Sequence, residues 1–73
     1  MWRYKNAIVE PGYKLTYQID LWFSHGGPHV YEHKDLDMIA KLMRVLNIRD
    51  YETKDLNDKE KQTIEEIIFG TSP

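Results

Sequence analysis

The stretch WRYKNAIVEPGYKLTYQIDLWF, residues 2–23, decides the fold of this chain, because it closes into a hairpin about Pro11-Gly12. In that register Val9 faces Lys14, Ile8 faces Leu15, Ala7 faces Thr16, Asn6 faces Tyr17 and Lys5 faces Gln18. Tyr4 then faces Ile19, Arg3 faces Asp20 as a cross-strand ion pair, and Trp2 faces Leu21. Strand side chains alternate faces, so Trp2, Tyr4, Ile8, Leu15, Tyr17, Ile19, Leu21 and Phe23 gather on one side. A slip by one residue would scatter them. A local Pro-Gly type II turn matches hairpin twist less well than the primed types, which leaves a bulge or a longer loop as the other closure.

Ser24-His25-Gly26-Gly27-Pro28 is a second turn signal and returns a third strand over about residues 29–33. Closure about Gly26-Gly27 pairs Phe23 with Val30 and Trp22 with Tyr31. It also sets Glu32 beside Leu21 on the apolar face. That one blemish points to an odd-length loop or a frayed strand.

The apolar period then changes. Leu36, Ile39, Met43 and Leu46 recur at helical spacing, with Asp35 at the start and Asn47 at the end. Met38, Leu42 and Val45 add a second apolar row, so this helix needs cover on more than one side. A last helix spans about residues 58–69, with Asn57 and Glu60 as a capping box, Ile64, Ile67 and Ile68 as its apolar stripe, and Gly70 as its stop. Residues 47–56 connect the two helices, anchored by Ile48, Tyr51 and Leu56. The fold class is α+β: a three-stranded antiparallel meander followed by two α-helices on one face, βββαα, in a single domain over residues 1–73.

Composition bounds the function. The chain has 73 residues, no cysteine and a net charge of −2, so it is near the smallest size that one core stabilises, without disulfides or thiol chemistry. No window reaches the roughly 20 apolar residues of a membrane span, and the first residues lack a signal-peptide core. A soluble, cytoplasmic protein is expected, with no membrane partner. A basic excess of the kind phosphate binding requires is missing.

Catalytic and metal patterns are weak. His25, His29 and His33 recur every four residues, but Gly26-Gly27-Pro28 forbids the helix that would bring them together. On a strand, His29 and His33 stand about 13 Å apart at ~3.3 Å per residue. His25 and His29 can meet across the turn, yet two ligands make a weak site, so no metal and no cofactor are expected. His25-Gly26-Gly27 shares three residues with the oxyanion loop of lipase-like hydrolases. Those enzymes need a serine on a strand-to-helix elbow, whereas Ser24 and Ser72 lie in a turn and a tail. No carboxylates pair as a catalytic acid and base, and an enzyme is not expected.

The sheet face without helices is the candidate contact surface. In the register above it carries Arg3, Lys5, Ala7, Val9, Lys14, Thr16, Gln18, Asp20, Trp22, Tyr31 and His33, with Trp22 opposite Tyr31. Trp and Tyr dominate interface hot spots, and Val9 and Ala7 extend the apolar area. The expected partner-binding set is therefore Trp22, Tyr31, Val9, Lys5, Arg3 and Lys14, with Met38 and Leu42 on the first helix. The expected function is a small protein–protein interaction module that forms a homodimer, an inhibitor or regulator of the sort encoded by phages and mobile elements. The alternative is a nucleic-acid-binding regulator that uses Arg3, Lys5, Lys14, Trp22 and Tyr31.

Overall fold

The computed structural model describes residues 4–70, and its chain order is β1 (Tyr4–Pro11), β2 (Tyr17–Phe23), β3 (Gly26–His33), α1 (Leu36–Val45), β4 (Glu52–Thr53) and α2 (Asp58–Phe69). The sheet order is β3-β2-β1-β4: the antiparallel meander is present, and β4 adds a two-residue strand parallel to β1. That fourth strand is not written in any periodicity, since two residues have none. The backbone carries it further by one bond, from the Lys54 N–H to the Val9 carbonyl at 2.9 Å.

The β1–β2 register departs from the Pro-Gly hairpin by five residues. Val9 lies opposite Ile19, Ala7 opposite Leu21, and Pro11 opposite Tyr17. The strand runs on through Pro11, and a five-residue loop, 12–16, makes the turn, closed by the Gly12 N–H on the Thr16 carbonyl at 2.8 Å. Lys14 and Leu15 sit in the left-handed region, with φ of 56° and 62°. Such angles suit Gly or Asn, so nothing in these side chains announces the loop. Five is odd, and an odd shift turns one strand over relative to the other. Ala7 and Val9 therefore point into the core with Ile19 and Leu21, and Ile8 points out. Leu15, expected in the core, is 96% exposed.

A bulge at Lys5 then restores the phase. Tyr4 pairs with Phe23 while Asn6 pairs with Trp22, leaving Lys5 extra, and Tyr4 returns to the core side. Trp2 and Arg3, with the proposed Arg3–Asp20 pair, lie outside the described residues; Asp20 itself faces Ile8.

The second hairpin is shifted by three residues, again an odd number. Ser24-His25 forms the turn, and Ile19 pairs with Tyr31, Asp20 with Val30 and Gln18 with Glu32. Glu32 thus leaves the apolar face, which removes the mismatch with Leu21. An irregularity between Leu21 and Phe23 absorbs the extra residues. There a Cβ on Gly27 would stand 2.7 Å from the Leu21 carbonyl oxygen, and its φ is 151°, so only glycine fits.

Both helices keep their expected limits, although the Asp35 side chain makes no cap bond at the start of α1. After α1, Asn47 takes a left-handed φ of 59°, its N–H bonds the Arg44 carbonyl, and the Ile48 N–H reaches Met43 at 2.8 Å. This is a Schellman closure, and it drives Ile48 into the core. On α2, Asn57 and Glu60 form the reciprocal capping box and Gly70 is left-handed. The Glu60 carboxylate also accepts from the Tyr17 hydroxyl at 2.5 Å. That hydroxyl, then the Asn57 N–H, holds the Glu60 carboxyl below its ordinary value. α1 lies across β2 and β3 and α2 packs on α1, so Ile39, Met43, Ile64 and Ile68 meet Ala7, Val9, Ile19 and Leu21.

The register is testable by paired truncations. Val9→Ala is expected to lower unfolding free energy by about 1–3 kcal/mol, while Leu15→Ala changes it by less than about 0.5 kcal/mol. Urea denaturation of both variants checks this, and the Pro-Gly hairpin would require the reverse order.

Candidate functional site

The candidate site is the outer face of the sheet, which the alternation of each strand builds in rows. One row crosses all four strands as Glu52, Ile8, Asp20 and Val30. The next holds Glu10, Gln18 and Glu32, and the last holds Asn6 and Trp22. Ile8 and Trp22 are half-buried and Val30 is 55% exposed, although none of the three joins the core cluster. The principal-axis extents are 36 × 31 × 16 Å, so this face is one of the two broad sides of a thin two-layer body.

Asp20 is the centre of the face. It stands between Ile8 and Val30 and is only 6% exposed, an unusual setting for a carboxylate. Gln18 Nε2 donates to its Oδ1 at 2.8 Å. Glu10, the diagonal neighbour across the β1–β2 pair, reaches the same group. The hydrogen bond with Asp20 raises the Glu10 carboxyl above its ordinary 4.5, with desolvation and the Asp20 charge adding to the effect. Lys54 pulls in the other direction and Asp55 reinforces the rise. A carboxylate neighbour disfavours the ionised form of Glu10.

Glu32 has a different role. Its Oε2 accepts from the Tyr13 N–H at 3.2 Å and from the Thr16 hydroxyl at 2.8 Å, which ties the 12–16 loop to the edge of the face. The opposite corner is an open depression where Lys5, Asn6, Ser24 and Gly26 surround Trp22.

Of the expected contact residues, Trp22 lies on this face as anticipated, with Lys5 beside it in the bulge. The others are displaced by the register. Val9 is fully buried in the core and offers no surface. Tyr31 pairs with Ile19 on the helix side, so it is not opposite Trp22, and its ring lies 6.5 Å from that of His33. Lys14 is in the loop, its Nζ 5.5 Å from the Tyr13 ring centre. Arg3 lies outside the described residues. Met38 is exposed and Leu42 half-buried on α1, on a row that ends in Val45 at 81% exposed. Ile8, Glu10, Val30, Glu32 and Glu52 were not anticipated; the clash of Glu32 with Leu21 was their one signal. Where the Pro-Gly register sets basic residues, the sheet presents carboxylates.

The His25 and His29 rings do meet across the turn, 5.8 Å apart, each beside Phe23 at 5.7 and 5.4 Å. His33 is next to Tyr31 instead. Among the described residues no three His, Asp or Glu side chains converge as a metal site would require. An apolar cleft of about 140 Å³, lined by Tyr4, Phe23, Leu46 and Ile48, lies on the helix side. Comparison with known protein families, curated proteins and solved structures finds no match.

The carboxyl pair gives the face a pH signature. A carboxyl raised by folding contributes stability that is complete below about 4.5 and lost as pH rises through the raised value. Glu10→Gln cannot ionise, so it is expected to gain stability over the parent at pH 7 but not at pH 4. Denaturation midpoints across that range test this, and parallel pH profiles would refute the raised Glu10 carboxyl.

Proposed function

We propose that this chain is a small non-catalytic protein–protein interaction module that grips its partner with the outer sheet face. The observation that carries the reading is Ile8, Trp22 and Val30 left accessible on a face without helices, framed by polar and acidic side chains. An apolar and aromatic centre inside a polar rim is the usual anatomy of a binding surface. An inhibitor or regulator acting in the cytoplasm, of the sort phages and mobile elements encode, is the role that suits it. Among the described residues no helix is long and apolar enough to cross a membrane.

Self-association belongs to the same proposal and is supported by other surfaces. The β3 strand has exposed residues along nearly its whole length, and Met38 and Val45 remain uncovered on α1. A two-fold dimer through either of these is the favoured arrangement. A nucleic-acid reading keeps only Lys5 and Trp22 on the face, with Glu10, Asp20, Glu32 and Glu52 beside them to repel phosphate.

Trp22→Ala is the deciding variant. It is expected to keep the fold, by circular dichroism and thermal melting, and to lose the partner that the parent protein captures from its host. Unfolding of Trp22→Ala would place this ring in the core, and undiminished capture would move the contact surface elsewhere. In size-exclusion chromatography with light scattering the parent is expected to run as a dimer at high concentration.

A further inference from the structure

We infer that the occupant of the outer face is a basic surface of a protein partner, one that presents arginine or lysine side chains around an apolar residue. This rests on the contact-surface reading above and names the partner's chemistry. Charge complementarity carries it. The register aligns Glu52, Glu10, Asp20 and Glu32 on one face with Ile8, Val30 and Trp22 between them. Lys54 is the cation that bears on Glu10, and Asp55 offsets it.

The stereochemistry favours arginine. Neighbouring strands stand about 4.8 Å apart, so exposed Glu52 and half-buried Glu10, diagonal neighbours beside Ile8, leave room for a guanidinium between them. A planar fork matches two carboxylate oxygens, and its stem can lie on Ile8. Trp22, two residues along β2 from Asp20 on the same side, supplies a π face for a second cation of the partner. Binding a cation also offsets the repulsion between the Glu10 and Asp20 carboxylates.

The same charges disfavour a second copy on this face. An isologous contact would set one carboxylate-rich face against another. Dimer formation therefore leaves the outer face free for a different chain.

Titration of the ¹⁵N-labelled full chain with hexa-arginine amide, followed by NMR, tests this. Low ionic strength is needed, because 0.1 M salt screens exposed charges beyond about 10 Å. Shifts are expected at Ile8, Gln18, Val30 and the Trp22 indole, and the double variant Glu10→Gln/Glu52→Gln is expected to bind about tenfold more weakly. Glu32 is left intact so that the loop stays tied. Shifts scattered over the helices, or equal affinity in the double variant, would overturn the inference. So would an oligothymidylate that shifts the same face. If Trp22→Ala loses the captured partner while the double variant keeps it, the face stands and its basic occupant falls. If neither variant loses it, the contact-surface reading itself falls.

Discussion

The pairing of Val9 with Ile19 is the constraint on which the rest of the structure depends. A strand repeats every two residues, so one fixed pair assigns every side chain of both strands to a face. Once Val9 and Ala7 turn inward, α1 and α2 have a small-residue floor to pack on, with Ile19 and Leu21 beside it. Ile8, Glu10 and Asn6 are then outward by necessity. The second hairpin obeys the same arithmetic: Tyr31 follows Ile19 inward, and Val30 and Glu32 follow Asp20 outward. The site is thus a product of the core, since the residues that seal one layer dictate what the other side displays.

The helices were legible in the sequence because their signals are local. Asn47, Asn57, Glu60 and Gly70 act within one turn of the bonds they make, and both α1 and α2 fall within a residue of the expected limits. The connector anchors Ile48 and Leu56 were legible for the same reason: isolated apolar residues in a polar run have only the core to enter. The register was not, because it depends on a loop whose left-handed residues are Lys14 and Leu15. Pro11-Gly12 is the stronger turn signal, yet the strand continues through it. Burial of Ala7 and Val9 beneath the helices outweighs a turn that twists the strands poorly.

Misplacing a strand by an odd number of residues is more than a geometric error, for it changes the sign of a surface. The Pro-Gly register offers Arg3, Lys5 and Lys14 to a ligand. The actual one offers Glu10, Glu32 and Glu52, with Asp20 buried between Ile8 and Val30. Composition cannot foresee this, since a net charge of −2 is compatible with either. A small domain whose stability margin is modest keeps two carboxyl groups in contact near the centre of its sheet.

The short fourth strand has a bearing on how many copies can assemble. By lying along Ile8 and Val9 it occupies the flank of β1 and is itself too brief to template another chain. Among the described residues β3 is the margin open along its whole length, while β4 covers β1 only at Ile8 and Val9. A second copy that zipped onto β3 would use up that long margin and leave only the interrupted one on the other side.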